Sequence, residues 1–434
     1  MERTFIEQAS SLLGQEIKIS GWIYHYRAMA KTTFIVLRDC SGTVQIVASP
    51  QQLSHLSLKL EDVIEVRGKV RAEPRSKVGF EIDLIELTIL NPAASDLPFH
   101  SSTDISQIGL ETILEHRPLS LRSDLGSDIF KVQAKILEVF RSHLRKKYFT
   151  EIVSSKIVGS GTEGGTHLFE LKYFERSAYL AQSPQFFKEH GVAGLERVFE
   201  TGHVYRAEPH ATSRHLTEYL SMDLEMGFIK GSEEIIQLEK ELLGEIFESL
   251  NQEFGETFKK RSGHYLPDMM NAPIWEFEEC LERLHSTFQR TDLVDDIDPL
   301  GERQLCEIAQ KEFSNPTVFV LGYPLSSRPF YTHPRKSSSG VNNGAAQSFD
   351  LLFRGLEITT GGQRLHTRKS LEDAIRNRGL EVKNFESHLR MFELGMPPHG
   401  GLAIGLERLT AQIMQLSNVR EATMYPRDRN RLSP

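Results

Sequence analysis

Residues 205–218 read YRAEPHATSRHLTE, with two arginines, two histidines and two glutamates in fourteen positions and Tyr205 and Leu216 as the plainly apolar members. Guanidinium matches phosphate oxygens in pairs and keeps its charge. Arg206 and Arg214 stand at the two ends of a loop between strand-like segments, so both could reach one phosphate chain, with Glu208 left to accept from an amine. A solvated hairpin whose charges neutralise one another is the competing reading. A second stretch, HGGLAIGLERL at 399–409, runs a glycine-rich strand into a helix with Arg408 in its first turn. Gly400, Gly401 and Gly405 would let a planar base lie against the backbone under that arginine; close strand packing is the alternative. The chain holds no GxxxxGK[ST] loop and no GxGxxG after a strand, so arginine side chains would have to hold any nucleotide.

These groups need elements to position them. With 434 residues there is room for about two or three domains. Residues 17–95 read as β: Ile17, Ile19 and Ile23 alternate with Trp22, Tyr24 and Tyr26, and Asp39-Cys40-Ser41-Gly42 marks a hairpin. Short strands with one aliphatic and one aromatic-basic face predict a small barrel of the OB type. NPAASDLPFHSS, 91–102, reads as a linker. Beyond it, Ile129, Val132, Ile136, Val139, Phe140 and Leu144 follow helical spacing, with Ser127 as the expected cap. A second helix is expected from Ser232, and strands separated by turns and long insertions predict an antiparallel sheet flanked by helices. The expected class is α+β, with domains at 1–95, 96–122 as a hinge, and 123–434.

Fifty-one basic and fifty-nine acidic side chains give a net charge of −8, which excludes a uniformly basic coat for nucleic acid; a polyanion must meet a local patch. Cys40, Cys280 and Cys306 are scattered, which fits a reducing compartment and argues against structural zinc. No stretch approaches the ~20 apolar residues of a membrane helix, so a cytoplasmic protein without membrane contact is expected. Asp295, Asp296 and Asp298 read as an exposed acidic turn in preference to a metal site.

Taken together, YRAEPHATSRHLTEY and GGLAIGLERL resemble motifs 2 and 3 of the class II aminoacyl-tRNA synthetases. TEGGTHLFELKYFERSAYLAQSPQFFKEHG, RPFYTHP, SFDLLFRGLEITTGGQRLH and PRDRNRLSP narrow the resemblance to aspartyl-tRNA synthetases of the compact, archaeal type, over nearly the whole chain. It implies an ATP-dependent aspartate–tRNA ligase. Aspartyl-adenylate would form from L-aspartate and ATP, and the aspartyl group would pass to the 3′-terminal adenosine of tRNA(Asp). Enzymes of relaxed specificity also charge tRNA(Asn) and leave an amidotransferase to correct the product. An asparaginyl enzyme and a paralogue that charges no tRNA are the alternatives.

The resemblance also implies residue roles. Arg206 would bridge the α-phosphate and the attacking carboxylate, Glu208 would read the adenine amine, and Arg214 and His215 would hold the outer phosphates. Arg408 would stack on adenine, with Ala207, Leu216, Gly405, Leu406 and Glu407 beside them. Glu357 and Thr360 would carry Mg²⁺, Thr360 standing where the family usually has serine. Glu163 and Asp223 would take the substrate ammonium, and Gln185, Lys188 and Arg364 its side chain; asparaginyl relatives lack that lysine and typically have ESA where this chain has EGG at 163–165. In the barrel, Tyr24, Arg27, Phe34, Gln45 and Glu81 would meet the anticodon, with strand packing the competing role for Phe34. A homodimer is implied, although Ser155 replaces the proline usual at the motif 1 interface.

Overall fold

Period-two alternation builds the N-terminal unit. In the computed structural model, which describes residues 1–161, 167–209, 212–336 and 342–433, five strands close a barrel. They are β1 (Glu16–Ala28), β2 (Thr33–Arg38), β3 (Thr43–Ala48), β4 (Val63–Ala72) and β5 (Phe80–Asn91). Their order is β1-β2-β3-β5-β4, with β3 and β5 parallel and the other pairs antiparallel. Ile17, Ile19, Ile23, Ile35, Ile46 and Val66 fill the interior. At the β2–β3 turn Asp39 Oδ1 accepts from the amides of Ser41 and Gly42 at 2.7 and 3.0 Å, the Asx geometry that its sequence predicts. This is the expected OB-type barrel.

The chain divides into two compact units, Met1–Asp128 and Ile129–Pro434. The stretch read as a hinge contains short helices at Leu110–Glu115 and Arg117–Ser120. Phe99, Ile105, Ile113 and Leu119 give it an apolar cluster of its own.

Helix α1 (Asp124–Lys146) buries Ile129, Val132, Ile136, Val139, Phe140 and Leu144 as its periodicity predicts. It begins ahead of the expected cap at Ser127. Ser123 caps it instead, its Oγ accepting from the amide of Gly126 at 3.1 Å. The second unit is built on an eight-stranded sheet of order β9-β10-β11-β12-β13-β8-β7-β6. These strands are β6 (Thr150–Glu151), β7 (Arg197–Tyr205), β8 (Glu218–Gly227) and β9 (Ile274–Glu276). They continue as β10 (Thr317–Leu321), β11 (Ser348–Phe353), β12 (Leu356–Gln363) and β13 (His399–Gly405). The six central strands are antiparallel, as expected; each edge strand pairs in parallel with its neighbour.

Five further helices matter to the site: α2 (Gln185–Leu195), α3 (Ser232–Ser262), α4 (Phe277–Phe288), α5 (Pro299–Phe313) and α6 (Leu406–Met414). Helix α3 places Glu233 and Glu234 in its first turn and Lys259, Lys260 and Arg261 in its last, and ends on Gly263 at φ 78°. Both choices suit the helix dipole and the left-handed cap. Asp298 caps α5 by accepting from the amide of Gly301 at 2.7 Å, and its other oxygen takes Arg290 at 2.9 Å. The acidic turn is thereby accounted for by helix capping.

The glycines of β13 divide by role. A Cβ on Gly401 would stand 2.0 Å from the carbonyl oxygen of Leu224 and 2.3 Å from Glu225 Oε2, and one on Gly400 2.6 Å from the carbonyl oxygen of Gly362. Both glycines serve close packing. Gly405, whose Cβ would meet nothing nearer than Arg408 at 3.7 Å, borders open space. Gly401→Ala is therefore expected to cost at least the ~1–3 kcal/mol typical of overpacking, read as a lowered urea midpoint, whereas Gly405→Ala should leave the midpoint unchanged.

Candidate active site

Tyr219, Ser221, Asp223 and Glu225 alternate along β8 and share one face of the sheet. In the neighbouring β13, Ser221 pairs with Gly405, Asp223 with Ala403 and Glu225 with Gly401. In β12, Thr360 and Gly362 pair with Ala403 and Gly401. Small residues thus run beside a polar row, and room remains above the sheet where the polar side chains stand.

At the Tyr219 end is a cavity lined by Arg206, Glu208, Arg214, His215 and Leu216 from the β7–β8 loop. Glu357 and Thr360 of β12, Gly405 of β13, and Glu407 and Arg408 of α6 complete it. The opposed charges of 205–218 therefore converge on a concavity. The loop is anchored by the C-terminal segment: the amide of Thr217 donates to the carbonyl of Arg427 at 2.9 Å and Arg429 donates to the carbonyl of Pro209 at 2.7 Å. The amide of Arg206 donates to the carbonyl of Thr217 at 2.9 Å, and its guanidinium stands 5.7 Å over the Tyr219 ring. Arg408 Nη1 donates to the Glu357 carbonyl at 3.1 Å and lies 3.5 Å from Glu357 Oε1. Glu407 spends its carboxylate on the amide of Leu220 at 3.1 Å, and burial pushes its carboxyl up to about 7. Ala207 and Leu406 do not line the cavity; the Ala207 amide donates to the His167 carbonyl at 2.7 Å and Leu406 is buried.

Glu357 Oε1 accepts from the Thr360 hydroxyl at 3.0 Å. Asp350, opposite Thr360 in the β11–β12 ladder, is held by both arms of Arg328 at 2.9 and 2.7 Å. Burial raises the Asp350 carboxyl, with Glu357 adding to the effect and Arg328 opposing it. Two carboxylates and a hydroxyl make an all-oxygen corner that suits Mg²⁺, which takes one or two carboxylates and completes its shell from phosphate and water. Among the described residues, no three His, Cys, Asp or Glu side chains close on a common metal position.

The Glu225 end is a charge cluster. Helix α2 presents Gln185, Lys188 and Glu189 at i, i+3 and i+4, all buried. Lys188, 1 % exposed, donates to Asp223 Oδ1 at 3.0 Å and to the carbonyl of Leu402 at 3.2 Å, and stands 3.4 Å from Glu225 Oε2. Arg364 Nε donates to Glu225 Oε1 at 3.1 Å, and its Nη2 to the carbonyl of Gly401 at 3.1 Å. Burial disfavours the Arg364 charge, but Glu225 outweighs it and holds the guanidinium protonated. The Ser221 hydroxyl, which also lines the cavity at the Tyr219 end, donates to Asp223 Oδ2 at 2.5 Å and so links the two ends. Behind them, Gln185 Nε2 donates to Glu189 Oε1 at 2.6 Å, with His388 and His399 at 3.5 and 3.8 Å from Glu189 Oε2. Burial opposes the Glu189 charge, yet His399, His388 and Gln185 hold its carboxyl down at about 2. Glu163 lies outside the described residues.

In the barrel, Tyr24, Phe34, Gln45 and Glu81 line one cavity with Arg71 and Lys77, while exposed Arg27 lies outside it. Thr33, Ile35 and Leu37 point to the core and leave Phe34 on the outer face. Gln45 Nε2 donates to Glu81 Oε1 at 2.6 Å and Arg71 to Glu81 Oε2 at 2.8 Å.

Three site residues escaped the sequence reading. Glu225 stands two residues beyond Asp223 on β8, Asp350 is the lone carboxylate of β11, and Glu302 sits on α5, paired with Arg214. The β8 pattern carried a signal: Ser221, Asp223 and Glu225 alternate with Met222, Leu224 and Met226, a polar face on a central strand.

Comparison with known proteins bears on both units. Residues 109–429 match the family "tRNA synthetases class II (D, K and N)" and residues 17–92 the "OB-fold nucleic acid binding domain" family. A Deinococcus radiodurans protein named aspartate–tRNA(Asp/Asn) ligase is 41% identical over 100% of this chain and 99% of its own. A Pyrococcus abyssi protein named aspartate–tRNA(Asp) ligase is 37% identical over 99% and 98%. Among solved structures, an asparaginyl-tRNA synthetase from Pyrococcus horikoshii complexed with asparaginyl-adenylate superposes with a TM-score of 0.91 at 27% identity, over 100% of both chains.

Removing Glu225 would leave two buried cations without their shared anion. Glu225→Ala is expected to cost about 3–5 kcal/mol, the range for breaking one side of a buried pair, measured by denaturant unfolding. A loss within 1 kcal/mol would show that water or Asp223 takes over the charge.

Proposed function

Because the chain belongs to the class II tRNA synthetases of the D, K and N group, we propose that this aminoacyl-tRNA ligase activates L-aspartate with ATP and charges tRNA(Asp) and tRNA(Asn). The observation that carries the amino acid is the Lys188–Arg364 pair, buried at one end of the β8 face whose other end is the arginine-lined cavity. A substrate carboxylate entering there finds two fixed cations, whereas a carboxamide would leave them with no new anion. This favours aspartate over the asparaginyl alternative. The higher identity to a relative named for both tRNAs supports the pair of acceptors. Charging tRNA(Asn) with aspartate calls for a downstream amidotransferase.

The first step is displacement at the α-phosphate, in which a carboxylate oxygen bonds to phosphorus and pyrophosphate leaves. Catalysis is then mostly orientation and charge neutralisation. Arg206, over the Tyr219 ring in the cavity, neutralises charge on the α-phosphate and the attacking carboxylate. Asp223 holds the substrate ammonium, with Gln185 beside it: because the Gln185 amide nitrogen faces Glu189, its carbonyl oxygen is left to accept. Arg214 and His215 take the outer phosphates and Arg408 the adenine. Glu357 and Thr360, with Asp350, would hold Mg²⁺, which supplies positive charge to the phosphate oxygens. Phe34 and Tyr24 offer stacking surfaces to unpaired bases, and Gln45 a hydrogen-bonding edge.

A further feature fits this reading. Tyr148 is 87% exposed and Val153 93%, flanking the edge strand β6; a second copy of the chain would cover them, which supports a homodimer. A cytoplasmic location is part of the proposal; among the described residues no helix is long and apolar enough to cross a membrane.

Aspartate-dependent ATP–pyrophosphate exchange tests the core assignment. Arg206→Ala should lower it by about 10²–10³-fold, the cost of one transition-state donor, without unfolding the protein; near-normal exchange would overturn the role. Purified tRNA(Asp) and tRNA(Asn), incubated separately with labelled aspartate, should both be charged. Charging of tRNA(Asp) alone would establish a discriminating enzyme, and charging of neither a paralogue with another acceptor.

A further inference from the structure

Helix α5 buries Leu305, Cys306 and Ala309 against Val318 and Val320 of β10. Glu302 lies on the same stripe, three, four and seven positions before them, and is 7% exposed. An apolar side chain would satisfy that helix. The carboxylate instead ion-pairs with Arg214 Nη2 through Oε2, and the same oxygen accepts from the backbone amide of Glu357 at 3.0 Å. Arg214 belongs to the β7–β8 loop and Glu357 to β12, which a register shift opposite Leu351 and Leu352 re-aims at the cavity. One buried oxygen on a third element therefore ties together two arms of the nucleotide site.

We infer that Glu302 is a positioning residue of that site: it sets the placement of the Arg214 guanidinium relative to the Glu357 carboxylate, and so the fit of the ATP outer phosphates. The inference rests on the function proposed above. A long arginine side chain loses rotamer freedom when it grips a phosphate, and a carboxylate that holds it beforehand lowers that cost. The pairing leaves capacity for a ligand, since Arg214 Nη1 has no hydrogen-bond partner among the described residues. It also gives α5, in a part of the chain that the motifs do not reach, a role in ATP binding.

The test is ATP–pyrophosphate exchange by the full-length enzyme with ATP and aspartate varied separately. Glu302→Gln should raise KM for ATP about tenfold and leave KM for aspartate within about twofold. In an Arg214→Ala background the same change should add less than about twofold, because the two residues act as one unit. An unchanged KM for ATP, equal shifts for both substrates, or additive effects would overturn the inference. Absence of exchange in the unsubstituted enzyme would instead refute the proposed function. Should thermal melting show that Glu302→Gln unfolds, Glu302→Asp, which keeps the charge but shortens its reach, serves for the same comparison with the same outcomes.

Discussion

Two cations that must remain charged inside a sheet constrain everything around them. Lys188 and Arg364 come from a helix and a strand end far apart in sequence, and burying either charge without Glu225 and Asp223 as counter-ions would be strongly unfavourable. Those carboxylates must stand on a central strand, so β8 gives up apolar side chains on one face. Their bulk needs space, so β13 contributes Gly401 and Ala403 beside them. The glycine-rich motif is in this sense a consequence of the charge cluster: the Glu225 carboxylate occupies the volume that a side chain at Gly401 would take.

The same strand carries both halves of the chemistry. Alternation along β8 puts Tyr219, Ser221, Asp223 and Glu225 on one face, the first two beside the arginine-lined cavity and the last two in the cluster with Lys188 and Arg364. Rigidity follows from position, because β8 lies between β7 and β13 and pairs with both from Ser221 to Met226. The β7–β8 loop lacks that support and obtains it from elsewhere: the C-terminal segment holds it by backbone hydrogen bonds, and Glu302 holds its arginine. The loop thus depends on distant chain for its shape, and that chain comes from α5 and the C-terminal segment.

The barrel solves a different problem with similar means. With a net charge of −8 the protein cannot attract RNA by overall charge. The outer face of β2 and β3 instead gathers Phe34 and Gln45, near Arg71 and Lys77, into one concavity. Glu81 keeps Gln45 and Arg71 in place, so that a polar edge and an aromatic face are presented together.

Much of this was legible in the chain itself. Period-two alternation determined the barrel, helical spacing determined α1 and α3, and two motifs of arginines, glutamates and glycines pointed to the class II synthetase family, their side chains meeting in one cavity, because these are local patterns that the backbone converts directly into faces. The start of α1 was misplaced because Ser123 and Ser127 are equally good caps in isolation. Asp350 and Glu302 could not be assigned from their neighbours in sequence, and for Glu225 the alternation along β8 marks a polar face without naming its partner. Each is one of fifty-nine acidic side chains, and nothing local distinguishes a solvated carboxylate from one that anchors a buried cation. Partner choice is decided by strand order: β8 lies next to β13, not next to the segment that follows it, and that non-local pairing brings Arg364, Lys188 and Glu225 within reach of one another.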